Sequence, residues 1–284
     1  MPTFSTPTPI DLAINLQVGA IEIFAGDRAD TLVTVTPTNP AKAVDRRGAE
    51  ETTVDFDGQR LTIAGPRPRL SWIGPTESID LRVELPTGSR LTTEIAVGAV
   101  RTVGRLGATR IKSSTGPADI DTTADLWLRA GHGSAHVGAV EGQLELVADH
   151  GQIRIGTVTG DAILKASHGS IQVGESGGDL EAKLSYGDLE VATALGSVAA
   201  KTAYGSIQLG EVSTGSIQVE SGYGQVTIGV RENVPAWLDL SSKDGHVRNQ
   251  LEGDRGPAGP EQSVAVRART QFGDITVQRA RSLR

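Results

Sequence analysis

Glycines recur every 18 residues through the middle of the chain, and this spacing constrains the fold more than any other feature. The main series consists of Gly133, Gly151, Gly169, Gly187 and Gly205, with Gly116 before it and Gly224 after it. A second series, Gly142, Gly160, Gly178 and Gly196, lies nine residues further along each repeat. A fixed internal period indicates short structural units that stack on one another.

Apolar residues follow each of these glycines at the second and fourth positions. Gly151, for example, precedes Ile153 and Ile155, and the polar Arg154 lies between them. Alternation of apolar and polar side chains is typical of a β-strand with one buried face. One repeat therefore predicts the order turn, strand, turn, strand.

A strand of about five residues cannot bury its apolar face alone. Stacked coils solve this problem, because each strand pairs with the equivalent strand one coil away, at about 4.8 Å. The sequence therefore predicts an all-β chain with a β-solenoid fold, similar to a β-helix, with two short strands in each coil of about 18 residues. In such a fold Ile153, Ile171, Leu189 and Ile207 form one file in the core.

Two other all-β architectures are alternatives to the solenoid. An immunoglobulin-like sandwich also has strands every 8–12 residues, but it gives no reason for residue identity to repeat at a fixed period. A propeller blade needs about 40–45 residues. The composition agrees with a narrow core, since aromatic residues make up only 4% of the chain and glycine accounts for 35 residues.

The ends of the chain show the repeat less clearly. We expect residues 1–75 to form an N-terminal β cap that covers an otherwise open strand edge. Residues 76–284 then form the solenoid, with the clearest repeats at 115–230, and the whole is expected to be one elongated domain. Loops are predicted at 66–69 and 256–260, where proline recurs.

A last coil is predicted around the segment 272–277, and helices are expected to be rare. The tryptophans at positions 72, 127 and 237 are interpreted as core or cap residues.

Several phrases in the repeats resemble a known bacterial group. They are His168-Gly169-Ser170-Ile171-Gln172-Val173-Gly174, Tyr204-Gly205-Ser206-Ile207-Gln208-Leu209-Gly210, Phe272-Gly273-Asp274-Ile275-Thr276-Val277 and Val83-Glu84-Leu85-Pro86-Thr87-Gly88-Ser89. The chain resembles, over roughly residues 10–280, the putative-adhesin family of β-strand-repeat proteins, a domain of unknown function. The resemblance implies a β-solenoid and an adhesin-like role, and it supplies no catalytic residues.

Charge and composition exclude several classes of protein and site. The net charge of −7 argues against nucleic acid as a partner, because phosphate binding needs clustered Lys and Arg. Disulfides and thiolate metal sites are excluded by the absence of cysteine. No run of 18 apolar residues is present to span a membrane, and the first residues lack the basic and apolar parts of an export signal. We therefore expect a cytoplasmic protein, with surface display as the alternative.

The residue before each main glycine forms the candidate binding column. These residues are His132, His150, His168, Tyr186, Tyr204 and Tyr223, with Phe272 further on. In a solenoid their rings lie one above the next, either as a structural ladder at a corner or as a stripe that binds a partner. Three imidazoles in one column also raise the hypothesis of a divalent metal site, for which Asp149 is the only evident supporting carboxylate.

Charged residues recur in two further columns. Asp161, Asp179, Asp188 and Asp274 each follow a glycine, which suggests calcium or a lyase cleft as one interpretation and hydrogen bonds to turn amides as the other. The glycine-rich calcium-binding nonapeptide itself is not present. Lys165, Lys183 and Lys201 are predicted to face outward, where they either bind an anionic polymer or prevent self-association.

No motif for nucleotide binding, zinc proteases or nucleophilic catalysis occurs in the sequence. The pairing of His168 with Ser170 lacks any group to orient the imidazole. We therefore expect a non-enzymatic scaffold or binding protein without a cofactor, whose partner is an unidentified protein or an extended polymer. A carbohydrate-active β-helix enzyme and a surface-displayed adhesin are the alternatives. The oligomeric state does not follow from the sequence.

Overall fold

The computed structural model describes residues 2–66, 77–251 and 263–280. Of these residues, 69% lie in strands and 3% in helix, and the strand pairing is that of a β-solenoid. The predicted fold class is thereby confirmed. The chain divides into two compact units, Met1–Glu141 and Gly142–Arg284.

The first unit contains one short helix among its strands. Its elements are β1 Thr3–Ser5, β2 Asp11–Gly26, β3 Asp30–Pro37, α1 Ala43–Glu51, β4 Thr53–Phe56, β5 Arg60–Ala64, β6 Ile79–Pro86, β7 Arg90–Leu106, β8 Thr109–Thr115, β9 Ala118–Thr123, β10 Leu126–His132 and β11 Ala135–Val140.

The second unit, in its described residues, contains strands without a helix. They are β12 Leu144–His150, β13 Ile153–Val158, β14 Ala162–His168, β15 Ile171–Ser176, β16 Leu180–Tyr186, β17 Leu189–Ala194, β18 Val198–Tyr204, β19 Ile207–Val212, β20 Gly215–Tyr223, β21 Val226–Val230, β22 Ala236–Asp244, β23 Val247–Asn249, β24 Val264–Phe272 and β25 Ile275–Arg279.

Equivalent strands of successive coils pair in parallel, with equivalent residues side by side. In the second strand of the coils, Ile153 lies beside Ile171, Ile171 beside Leu189, and Leu189 beside Ile207. All four side chains are at most 1% exposed. This file confirms the predicted alignment, and it places the core along the inner faces of the stacked strands.

Corner glycines of the main series hold a backbone conformation that other residues rarely adopt. Gly169 has a φ of +137°, and a Cβ built there would lie 1.9 Å from the carbonyl oxygen of Gly151 in the preceding coil. The contact repeats at Gly187, whose added Cβ would lie 2.2 Å from the oxygen of Gly169. Both the positive φ and the close approach of the neighbouring backbone therefore require glycine at these corners.

The first long strand, β2, does not occupy an outermost position in the first unit. Along one edge, β2 pairs in parallel with β7 over most of the length of the strand. Its other edge pairs in parallel with β5 and then with β6. The first long strand of the chain therefore lies between a coil formed by β5 and β6 and a coil formed by β7.

Antiparallel strands and the helix follow on the far side of β5 and β6. β4 pairs with β5, β3 pairs with β6, and β1 pairs with β3, all antiparallel. α1 packs against β3 and β6. The carboxylate of Asp45 is buried in this region and accepts hydrogen bonds from the backbone N–H groups of Asn39 and Ser78, both at 3.2 Å.

The order of coils also changes near the C-terminal end of the second unit. β24 pairs in parallel with β20 on one side and with β22 on the other. β25 likewise pairs with β21 and with β23. The predicted last coil, which contains Phe272–Val277, is thus the last in sequence, but it lies between the coil of β20 and β21 and the coil of β22 and β23.

The interpretation of the tryptophans as core residues was wrong at two positions. Trp237 is 75% exposed on β22, so it is not a core residue. Trp127 is only half-buried, and its ring lies under the guanidinium of Arg110, whose central carbon is 3.7 Å from the ring centroid. Both side chains project from the outward side of their strands. Trp72 and most of the two predicted loops lie outside the described residues.

No helix among the described residues is both long and apolar enough to cross a membrane.

Candidate functional site

Six aromatic rings of the second unit form a continuous stack at one corner of the coils. The ring centroids are 4.7 Å apart for His150 and His168, and 4.9 Å apart for His168 and Tyr186. The stack continues at 4.9 Å to Tyr204 and then to Tyr223. Phe272 ends it, 4.7 Å from Tyr223. These six residues are called the ring column below.

The ring column arises directly from the strand register. His150 lies beside His168, and His168 beside Tyr186, in adjacent strands of the parallel sheet. Because the spacing between strands is about 4.8 Å, equivalent rings at one corner are held at stacking distance. The predicted alignment of His150, His168, Tyr186, Tyr204 and Tyr223 is therefore present in the structure.

His132 belongs to the first unit. It ends β10, as the ring-column residues end their own strands, and its neighbour in β8 is Thr115. The imidazole is exposed.

The stacked rings cover one another's faces and expose their edges. The planes of Tyr186 and Tyr204 are inclined by only 2°. Nevertheless Tyr186 is 49% exposed, and Tyr223 is 46% exposed. A sugar ring that stacks on an aromatic residue needs a free face, and the inner members of this column do not offer one. The column presents ring edges, phenolic hydroxyls and imidazole nitrogens at the surface.

The geometry of the two stacked imidazoles does not fit chelation of a metal ion. The ring planes of His150 and His168 are inclined by only 13°, so their nitrogen lone pairs lie in two nearly parallel planes. A metal held by both would need the two lone pairs to converge, with each nitrogen about 2.0–2.1 Å from the ion. The described residues contain no group of three or more His, Asp or Glu side chains placed to hold a metal.

A shallow groove runs beside the ring column on the first strand of the coils. Its lining residues are Val147, Ala148, Lys165, Ala166, Ser167, Lys183, Leu184 and Ser185. Ser167 and Ser185 immediately precede rings of the column, and the lysines lie two residues further back. These serines are not among the predicted site residues, although a small residue also precedes Tyr204 and Tyr223.

The three lysines of the predicted column lie side by side and are exposed. Lys165 lies beside Lys183, and Lys183 beside Lys201. Two of them have acidic partners on the same surface: Lys183 Nζ is 2.5 Å from Glu181, and Lys201 Nζ is 3.1 Å from Glu220. The hydrogen bond from Lys183 lowers the pKa of Glu181, and the positive charge of Lys165 acts in the same direction.

The turn aspartates hold successive coils together through backbone hydrogen bonds. Asp161 accepts the N–H of Asp179 at 2.9 Å, and Asp179 in turn accepts the N–H of Ser197 at 2.9 Å. Asp188 accepts the N–H of Ser206 at 2.7 Å at the other corner. Because each carboxylate accepts a hydrogen bond from a backbone N–H of the next coil, these aspartates link neighbouring coils. This confirms the interpretation that the aspartates bind turn amides.

Polar side chains on the second strand form a similar ladder. Arg154 Nε donates to the side-chain oxygen of Gln172 at 3.1 Å, and the Gln172 amide donates to Glu190 at 3.2 Å. The three side chains belong to one column, and each is exposed or half-buried. The outer surface of these coils is therefore built from columns in which each member contacts its equivalent in the next coil.

Comparisons with proteins of solved structure find similar chains among bacterial adhesion candidates. One, described as a "putative cell adhesion protein" from Clostridium sporogenes, shares 12% identity, with 98% of each chain covered and a TM-score of 0.25. A "putative adhesin" from Parabacteroides distasonis shares 11% identity, with 97% of this chain and 95% of that chain covered and a TM-score of 0.36. Another "putative adhesin", from Bacteroides fragilis, shares 11% identity over the same coverage, with a TM-score of 0.34.

No curated protein matches the chain. A family model does match, and it covers residues 11–281, which is nearly the whole sequence. The chain belongs to the Toastrack DUF4097 family.

Proposed function

We propose that this chain is a non-enzymatic binding scaffold that holds an extended acidic polysaccharide along the ring column and the adjacent groove. The observation that carries the proposal is the repetition of one set of polar groups at every coil. A ring edge, a small residue and a lysine recur on β14, β16 and β18 at the spacing of neighbouring strands. A polymer whose own chemical groups repeat meets the same contacts at each coil.

The chemistry of the surface selects the class of polymer. Lysine ammonium groups and phenolic hydroxyls donate hydrogen bonds, and charge-assisted bonds to carboxylates are the strong ones among them. The groove beside the column is open and shallow, which suits a chain lying on the surface. Acidic sugars supply both carboxylates for the lysines and hydroxyls for the ring edges and serines.

Two of the lysines already have acidic neighbours, and this affects the expected affinity. Lys183 and Lys201 are paired with Glu181 and Glu220 on the exposed surface. Exposed ion pairs contribute only about 0–1 kcal/mol, so a polymer carboxylate exchanges with them at little cost. Binding therefore depends on many weak contacts along the polymer, and it weakens as salt screens the charges.

The non-enzymatic part of the proposal is supported by the role of the turn carboxylates. Asp161, Asp179 and Asp188 are each engaged in a bond to a backbone N–H of the next coil. A glycosidase needs two carboxyl groups that face the sugar from opposite sides of the scissile bond. The competing hypothesis of a carbohydrate-active enzyme is tested in the same experiment as binding.

The experiment is calorimetric titration of the full chain with polygalacturonate, with dextran as the neutral polymer. We expect saturable binding of polygalacturonate that weakens with added salt, and no comparable heat with dextran. Replacing Tyr186, Tyr204 and Tyr223 together by Phe keeps the stack and removes three hydroxyls. It should weaken binding at least about tenfold, since each lost hydrogen bond costs about 0.5–1.5 kcal/mol.

The matched control changes polar residues on the second strand of the same coils. Gln172→Ala combined with Gln208→Ala lies away from the groove and should leave the affinity unchanged. Failure of the wild-type chain to bind polygalacturonate overturns the proposal, as does full binding by the tyrosine variant. Release of new reducing ends from the polymer would establish an enzyme instead.

A further inference from the structure

Among the described residues, the coil formed by β22 and β23 is paired with another coil along one edge only. Within the described part of the chain, β22 pairs only with β24, and β23 pairs only with β25. The opposite edge of this coil therefore presents backbone N–H and C=O groups in the arrangement that a further strand would pair with.

The core is also less well covered at this coil than in the neighbouring one. Leu238 and Leu240 occupy inward positions of β22, beside Val266 and Ala268 of β24. Val266 is 2% exposed and Ala268 is 0% exposed, whereas both leucines are only half-buried. Two large apolar side chains thus keep part of their surface in contact with solvent, next to an unpaired strand edge.

Exposed apolar residues extend the same surface. Trp237 is 75% exposed on the outward side of β22, and Val247 is 44% exposed on β23. A large exposed apolar side chain beside a free edge favours association.

We propose that two copies of this chain associate through the coil of β22 and β23, with β22 of one copy pairing antiparallel to β22 of the other. A two-fold axis brings identical edges together, and this is the usual symmetry of a homodimer. The axis passes at Leu240, so that each Leu240 faces the other and the two half-covered ends close one another.

The charges of β22 are complementary in this register. Trp237 of one copy lies opposite Lys243 of the other, which places an ammonium beside an indole ring twice in the dimer. Asp239 lies opposite Ser241, so like charges do not face each other. A shift of the axis to Asp239 would oppose two carboxylates, and this disfavours that register.

The ion pairs of Asp239 within its own chain are also compatible with this interface. Arg267 of β24 binds its carboxylate at 2.9 Å, and Arg269 lies 3.8 Å from the same oxygen. The carboxylate is thus neutralised within its own chain and leaves Lys243 for the indole of the second copy. Lysine on a strand edge commonly prevents pairing, but here the residue it meets is an aromatic one.

The first test measures the mass of the full chain in solution by light scattering over a range of concentrations. We expect a dimer for the wild type and a monomer for Leu240→Glu, with the circular dichroism spectrum of both unchanged. The control is Leu195→Glu, at a leucine of the same unit that is 39% exposed away from β22, and it should remain a dimer. A monomeric wild type, or a dimer that persists in Leu240→Glu, overturns the proposal.

The second test determines the register of the two β22 strands by disulfide cross-linking. The chain contains no cysteine, so an introduced thiol can pair only with its equivalent in the second copy. Leu240→Cys places two thiols across the axis, where directly opposed Cα atoms are about 4.5–5.5 Å apart and a disulfide forms on oxidation. Ser242→Cys is the control, since its two copies would lie four residues apart along the strands, at about 13 Å. Cross-linking of Ser242→Cys but not Leu240→Cys overturns the register, and absence of cross-linking in both overturns the pairing of these strands.

Discussion

The backbone N–H of His246 donates to a carboxylate oxygen of Asp274 at 2.9 Å, although Asp274 lies 28 residues later in the chain. At Asp161, Asp179 and Asp188 the donor follows the acceptor in sequence, as where Ser206 donates to Asp188, which lies 18 residues earlier. The bond at Asp274 is the same link between neighbouring coils, reached in the reverse chain direction. This reversal arises because the coil of β24 and β25 lies between the coil of β20 and β21 and the coil of β22 and β23.

The bond at Asp274 predicts a specific dependence of stability on pH. The N–H of His246 is the main cause that lowers the pKa of Asp274, and the positive charge of Arg248 acts in the same direction. Since the folded-state pKa lies below the unfolded value of about 4, ionised Asp274 stabilises the fold above that value. This contribution is lost as the pH falls through the folded-state pKa.

Urea denaturation of the wild type and of Asp274→Asn at several pH values measures this effect. Asparagine keeps an oxygen that accepts the N–H but carries no charge. We expect the wild type to be the more stable protein at pH 7 and the difference to shrink towards zero in acid. A difference that stays constant, or that grows as the pH falls, contradicts the prediction.

Ile171→Ala should destabilise the second unit by about 2–5 kcal/mol, because it opens a cavity in a closed file of the core. Ile171 is 0% exposed between Ile153 and Leu189. The control is Ile163→Ala, at an isoleucine of β14 that is 37% exposed, where the loss should be below about 1 kcal/mol. Chemical denaturation measures both, and equal losses would mean that Ile171 is not interior.

Gly169→Ala should destabilise the protein more than an ordinary surface substitution. Its φ is +137°, and an added Cβ would lie 1.9 Å from the oxygen of Gly151, so the backbone of two coils must shift. At Gly26 nothing lies within 4 Å of an added Cβ, which makes Gly26→Ala the matched control. A melting temperature for Gly169→Ala as high as that of the control would refute the role of this corner.

Tyr186→Ala should lower stability, whereas Tyr186→Phe should leave it nearly unchanged. The ring of Tyr186 stacks on His168 and on Tyr204, and an aromatic pair contributes about 0.5–1.5 kcal/mol. Loss of two contacts therefore predicts about 1–3 kcal/mol for the alanine variant in thermal or urea denaturation. The phenylalanine at position 272 of the same column shows that the hydroxyl is not needed for stacking. Equal stability of both variants would argue against a structural ladder.

The local sequence was sufficient to predict the strands, the turns and the register of the regular coils. Apolar residues at alternate positions specify which face of a strand is buried, and the fixed period makes equivalent residues meet. Ile153 therefore lies beside Ile171, and His168 beside Tyr186, as the spacing predicted. The contacts of the ring column follow from the same register.

Only the tertiary structure decided the order in which the coils at the ends are stacked. Every coil presents similar backbone edges, so local alternation does not specify which neighbour a strand selects. β2 has the coil of β5 and β6 on one side and β7 on the other. Similarly, β24 lies between β20 and β22. The exposure of Trp237 has the same origin, because β22 pairs with only one other strand among the described residues. Periodicity thus determined the repeated coil, whereas long-range packing determined the order of the coils within each unit.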